Sequence, residues 1–355
     1  MVEPFATSMV AEMLSDEDIE RLRVDRIDEI RRSTVALGQS FHNVLLYGHR
    51  GVGKTFLVRL IVRELQKSFS DVLPVYVRTA GLPLYNPVDE VAAFSRAVLL
   101  QICVELWKHI LGKSYLDLRE YVSASDANLN FSSPEEKTLQ RIYSLLMVSH
   151  RRSLTQISNK IGFSVGVQGE KSDGFSVEKQ SSEVLPFEFG EFVDELIHVV
   201  QKKGKHRIVV LCDDANRMPM FKQEDILTRY FDLFRSKKVL FLFVAAWQDW
   251  ERDVHVPLCF EQVIQLNGFT DFNVFREFMI KASDDRSVFE EDALACLHES
   301  CKGEPVKALD IARRAWRIAQ KQNSNILKLP FVKESSDQFW QEWKDRRRLI
   351  SEDES

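Results

Sequence analysis

The sequence has no Cys-x-x-C pair. Its five cysteines, Cys103, Cys212, Cys259, Cys296 and Cys301, are scattered along the chain. That spacing argues against a disulfide framework and a zinc ribbon, and Cys212 falls inside an apolar run, so the thiols read as reduced and structural. No apolar run is long enough for a membrane span. The most apolar stretch, residues 239–247 (VLFLFVAAW), is far short of the ~20 residues that a spanning helix needs. Residues 1–14 lack the basic cluster and long apolar core of a secretory signal, so a cytoplasmic location with no membrane contact is expected. Nor is there an excess of positive charge. With 48 Lys+Arg against 53 Asp+Glu and a net charge of −5, a globally basic nucleic-acid binder is excluded, and any such contact must come from a local patch. No internal repeat appears. A chain of 355 residues can hold a large α/β domain plus a smaller one.

What is present begins at residues 43–60, NVLLYGHRGVGKTFLVRL. The apolar run from Val44 to Tyr47 predicts a buried strand, and residues 56–65 carry helical periodicity. Between them Gly48, His49, Arg50, Gly51, Val52, Gly53, Lys54 and Thr55 spell G-x-x-x-x-G-K-[ST], the P-loop pattern in its required strand–loop–helix context. The glycines allow positive φ and close backbone approach to oxygen atoms. Successive N–H groups, and the helix entered at Phe56, then face phosphate oxygens. Lys54 adds a point charge for the β- and γ-phosphates, and the Thr55 hydroxyl is placed to ligate Mg2+. A nucleoside triphosphate is the implied ligand.

Residues 207–214, RIVVLCDD, are the second informative stretch. A run of β-favouring apolar residues that ends in two carboxylates predicts a buried parallel strand with acids at its carboxyl edge, where ligands of open α/β sheets bind. This is a Walker B pattern. Asp213 is expected to hold Mg2+, mainly through water, and Asp214 to orient and deprotonate the attacking water.

The remaining segments place these motifs. Ser15 and Asp18 have capping-box spacing and predict one charged helix through Leu37, stopped by Gly38. Within it Ile27 and Ile30 share a face, which fits either contact beside a nucleotide base or a core-facing stripe. A strand is expected at 72–77, a helix at 89–111 and a helix start at Ser133-Pro134. Residues 138–169 hold no acid but include Arg141, Arg151, Arg152 and Lys160, a local basic patch that suits either a solvated surface or DNA. Residues 161–167 alternate as a strand does and 169–183 are flexible in composition, which predicts an insertion over about 123–185. An amphipathic helix at 186–201 precedes the Asp213 strand. Residues 237–247 predict another buried strand, with Gln248 at its end as either a γ-phosphate contact or a strand-end turn. A last short strand at 264–266 is followed by helices at 271–282, 290–301 and 304–320. In the tail, Phe339, Trp340 and Trp343 share a helical face that either docks a partner or folds onto the preceding helices. The expectation is an α/β fold, a doubly wound parallel P-loop NTPase sheet followed by a small α-helical lid. The expected segments are 1–40, 41–268, 269–325 and 326–355.

This order of P-loop, Asp-Asp strand, strand with a polar end and helical lid resembles the AAA+ ATPases. Residues 303–315, GEPVKALDIARRA, are similar to the lid motif of origin-recognition-type initiator ATPases, usually G-D-A-R-[KR]-A-L-D. The Gly-x-Pro element resembles the STAND-class signalling ATPases. Residues 25–30, DRIDEI, are similar to the R-E-x-E-I segment that packs near adenine in both groups, so the resemblance puts Arg26 at the nucleotide and makes that nucleotide ATP. The departures are specific. Val306 stands where initiators carry a γ-phosphate-sensing arginine, and Lys307 is turned about 100° away on the helix. Asp214 replaces the usual glutamate. Residues 256–265 hold no arginine for a neighbour's site, and only Arg252 lies upstream. About 30 residues follow the lid, too few for a winged-helix DNA-binding domain, so a complete replication initiator is not expected. The resemblance implies an ATP-binding switch with slow hydrolysis, in which Lys54, Asp214 and Gln248 act on phosphate and water. Such a switch would regulate a protein or protein–DNA assembly, in a DNA transaction or in prokaryotic antiviral defence or signalling, with protein partners or a homo-oligomer. The alternative is a nucleotide-binding scaffold with little turnover that assembles partner proteins.

Overall fold

The computed structural model describes residues 15–78, 90–110, 133–143, 145–146, 186–215, 227–228, 231, 239–246 and 259–353. Five of its segments form one parallel sheet. These are β1 (Val44–Gly48), β2 (Val72–Arg78), β3 (Arg207–Asp213), β4 (Val239–Ala246) and β5 (Gln262–Gln265), in the order β2-β3-β4-β1-β5. The parallel pairing accounts for their composition. Strands covered on both faces read as continuous apolar runs rather than alternating ones, and β3 is buried at every position. The register sets Gly48 beside Ala246 and Arg78 beside Asp213. The carboxyl ends of β1 and β3 therefore open on the same edge of the sheet, separated only by β4.

Alternate side chains of each strand enter two different cores. One holds Val44, Leu46, Leu211, Leu242 and Ile264, packed against α1 (Asp16–Arg21), α2 (Ile27–Val35) and α3 (Lys54–Ser68) through Ile19, Ile30, Leu57 and Ile61. The other holds Leu45, Val75, Val210, Phe241 and Phe243 beneath α4 (Glu90–Ile110) and α5 (Pro186–Lys202), with Trp107 and Leu196 among the contacts. Phe231, Phe241, Phe243 and Phe260 stack here with ring centroids 5.1–6.0 Å apart. Each such fully buried aromatic adds roughly 1.5–3 kcal/mol of transfer energy.

Both edges of the sheet are blunted. Among the described residues β2 bonds only to β3, and it carries Pro74, which has no N–H to offer an incoming strand. β5 has four residues, and Arg32 of α2 donates to its Val263 carbonyl at 3.3 Å.

The N-terminal region departs from the single helix read from its sequence. The Ser15 box forms, with Asp18 N–H donating to Ser15 Oγ at 3.0 Å and Ser15 N–H returning to Asp18 Oδ2 at 3.3 Å. The helix nevertheless ends at Arg21, because Asp25 and Arg26 both adopt left-handed φ, 56° and 68°, and turn the chain before α2. Ile30 is buried, but Ile27 is 63% exposed, so the two do not share one core-facing stripe. Nor is Gly38 the stop. It lies inside a π-helical turn, Ala36–Ser40, which ends at Phe41 (φ 56°). Gly38 is small for packing rather than capping, since a Cβ there would stand 2.5 Å from the Phe69 ring.

After β5 the chain forms α6 (Phe272–Ala282), α7 (Glu291–Cys301), α8 (Pro305–Lys321) and α9 (Leu329–Asp353). Helices α6 to α8 fall where their periodicity placed them, and the tail folds onto its predecessors, with Arg314 of α8 bonded to Glu342 of α9 at 2.8 and 3.0 Å. The bundle joins the sheet through a close backbone crossing. Phe269 N–H donates to Gly303 O at 2.8 Å, and a Cβ on Gly303 (φ 67°) would meet Phe269 O at 2.0 Å, so only glycine fits. Helix α1 ties the same bundle to α3. Arg21 pairs with Asp284, Lys281 Nζ donates to Arg23 O at 2.9 Å, and Glu20 stands 3.5 Å from Arg63. Among the described residues, no helix is long and apolar enough to cross a membrane.

Candidate active site

The 48–55 loop leaves β1 at Gly48, where a Cβ would lie 2.2 Å from the Leu266 carbonyl of the neighbouring chain segment. Gly51 and Gly53 take φ of 96° and 94°, and Gly53 becomes the N-cap of α3 with no side chain bonded to the helix end. The first-turn N–H groups of α3 are thus left to an external acceptor, which suits an anion.

Lys54 closes the loop on itself. Its Nζ donates to the carbonyls of Gly48 at 2.8 Å and His49 at 2.9 Å. Burial lowers its pKa from 10.5 to about 8, against the opposing pull of the carboxylates of Asp213, Asp214 and Glu304. An ammonium that is costly to bury in this state gains from an arriving phosphate.

The two motifs meet at Asp213. Thr55 Oγ1 donates to Asp213 Oδ2 at 2.6 Å, and Tyr76 Oη of β2 donates to the same oxygen at 3.0 Å. Asp214 N–H donates to Oδ1 at 3.0 Å. Asp213 is only 4% exposed, so its charge is held by these donors. Asp214 itself is half-buried with φ 57°, a left-handed turn directly after β3. Among the described residues, no cluster of three or more His, Cys, Asp or Glu side chains gathers for a metal. The hydroxyl–carboxylate pair of Thr55 and Asp213 instead fits a Mg2+ that takes few protein oxygens and completes its shell with water and phosphate.

The start of α8 reaches the same loop, with Val306 N–H donating to Gly51 O at 3.3 Å. The other expected site residues are dispersed. His49 and Arg50 are exposed on the loop, Val52 is buried, and Phe56 packs against the core at the base of α3. Arg26 bonds to Asn267 O at 2.5 Å and Glu29 at 3.2 Å, and lies 4.8 Å over the Phe269 ring, at the crossing into the bundle. Gln248, Arg252, Arg151, Arg152, Lys160 and the 161–167 strand lie outside the described residues. Arg141 of the basic patch is paired with Glu195 of α5. Two residues escaped the sequence reading. Tyr76 becomes visible only once β2 is known to neighbour β3. Glu304 stood in the lid motif, but its proximity to the loop needed the Gly303 crossing.

Residues 23–236 match the family model described as AAA ATPase domain. The chain belongs to this family. The chain therefore carries a nucleotide-binding ATPase domain on a fold of AAA+ P-loop type. Solved structures similar to it include the Aeropyrum pernix ORC1 protein in complex with DNA, 16% identical over 92% of this chain and 68% of that one, with a TM-score of 0.46. Drosophila ORC bound to DNA is 13% identical over 93% of this chain and 65% of that one, with a TM-score of 0.47. The Thermotoga maritima RuvB Holliday junction branch migration motor is 13% identical over 89% and 72%, with a TM-score of 0.39. No curated protein matches the chain.

Proposed function

We propose that this AAA ATPase domain is a slow ATP-dependent switch. It binds ATP with Mg2+ between the 48–55 loop and the helices after β5, and its nucleotide state regulates the assembly of a protein or protein–DNA complex. The observation that carries the reading is the 2.6 Å bond from Thr55 to Asp213, which brings the P-loop and the Walker B strand to one point. When bound, Mg2+ supplies charge neutralisation for the β- and γ-phosphate oxygens.

The chain's own residues do the rest. Loop N–H groups and the end of α3 bind phosphate oxygens, and Lys54 turns from its two loop carbonyls toward them. Thr55 and Asp213 present oxygens to the metal, with Tyr76 holding the Asp213 carboxylate in place. Asp214, first residue beyond β3, accepts the proton of the attacking water. Its shorter reach than glutamate, and Val306 where initiators carry arginine, favour slow turnover.

Purified protein should hydrolyse ATP, and Lys54→Ala and Asp214→Asn should each abolish turnover. Asp214→Asn should retain ATP binding, whereas Lys54→Ala should weaken it about 100-fold, the loss of a charge-assisted contact of ~3 kcal/mol. Binding without turnover in the wild type, with DNA and candidate partners present, would leave the scaffold reading instead.

A further inference from the structure

Directly before α8 a carboxylate faces the 48–55 loop. Glu304 occupies the N-cap position of α8, yet its side chain makes no capping bond. The residue is 7% exposed, and Oε2 lies 3.4 Å from the position a Cβ on Gly51 would take. The Val306–Gly51 bond docks the same segment on the loop. Glu304 also contributes to the negative field that opposes proton loss from Lys54.

A carboxylate buried at this depth needs a cation. Lys307 Nζ stands 2.8 Å from it, and the same ammonium lies 5.1 Å over the ring of Trp340 in α9. Trp340 in turn meets Phe339 and Trp343 edge-on at 5.2 and 5.5 Å. A Glu-x-x-Lys pair at a helix start is ordinarily solvated and nearly neutral in energy. Here the two side chains are 10% and 22% exposed, and they form a contact path from Gly51 through Glu304 and Lys307 to Trp340.

We propose that Glu304 sets the affinity of the loop by holding a buried carboxylate against it, which bound phosphate must displace. On this account, nucleotide binding drives its carboxylate off Gly51, and the movement reaches α9 through Lys307 and Trp340. The inference rests on the ATP reading above. Phosphate in the loop and the Glu304 carboxylate beside it repel, and Lys307 moves with the carboxylate it neutralises.

Equilibrium titration of the full chain with MgATP and MgADP tests this, with melting curves to verify folding. Glu304→Gln should bind MgATP roughly tenfold more tightly than wild type, the size expected for removing one like charge from a part-buried anion site, and should tighten MgADP less. Lys307→Met should weaken MgATP by a similar factor, because it leaves the carboxylate uncompensated. The double variant Glu304→Gln/Lys307→Met should return to tight binding. MgATP should also change tryptophan emission in the wild type, and Trp340→Phe should lose that change. Unaltered or weaker MgATP binding by Glu304→Gln, while wild type binds, overturns the inference and leaves the ATP reading standing. An emission change that survives Trp340→Phe overturns the path to α9. Failure of every folded variant to bind MgATP overturns the ATP reading, and this inference with it.

Discussion

The two faces of the sheet are built differently. On one, a single core runs from Ile19 of α1 through α3 and on to Phe275, Leu294, Ile311 and Val332 of the four C-terminal helices. Its parts are also joined by polar contacts such as Arg21–Asp284 and Arg26–Asn267. On the other face, α4 and α5 cover a stack of phenylalanines with no loop of the site among them. Polar links can exchange one partner for another at small net cost, whereas interlocked rings cannot shift without opening a void. The first face is thus suited to register what the loop holds, and the second to resist it.

The largest test of this contrast is Phe243→Ala on the aromatic face. It should lower unfolding free energy by about 3–5 kcal/mol in denaturant titrations, while nucleotide affinity of the folded fraction stays unchanged. An accompanying loss of affinity would mean that the two faces are coupled.

A smaller effect should appear with pH on the site face. The folded, ligand-free Lys54 has a pKa of about 8 against an ordinary 10.5. Between those values the unfolded chain holds more protons on this residue, so its contribution to stability improves as pH rises through that window. Nucleotide affinity has the opposite sign, because bound phosphate keeps the ammonium protonated. MgATP affinity should therefore fall about tenfold from pH 7 to pH 9 in titrations, through this one ionisation. A flat profile would show that Lys54 keeps its proton throughout.

The smallest expected effect is that of Tyr76→Phe. Losing one donor to Asp213 should cost about 1 kcal/mol of positioning, seen as a several-fold higher Mg2+ concentration for half-maximal ATP binding, with Mg2+-free binding unchanged. A shift equally large without Mg2+ would place Tyr76 in the fold rather than at the metal position.

Much of the site face was legible before any fold was known, because its parts are local. The glycines of the 48–55 loop, the apolar strand ending in Asp213 and the periodicity of α6, α7 and α8 each lie within a few consecutive residues. Contacts between distant segments were not legible. Tyr76 meets Asp213 across 137 positions, and Arg26 meets Asn267 across 241. The break at Asp25 and Arg26 was hidden for another reason. Aspartate does visit the left-handed region, but two such residues in succession, one of them Arg26, are rare enough that nothing in the local sequence pointed to them. Gly38 misled because glycine at a helix end has two uses, and here the Phe69 ring, not the cap, required it.

The blunted edges of the sheet constrain how this domain can meet other molecules. Pro74 withholds a donor on the β2 side, while α2 lies over the short β5 and fills its Val263 carbonyl. Each feature interrupts the ladder of amides that an added strand would zip onto. Among the described residues, these two features work against joining another molecule by adding a strand to either margin.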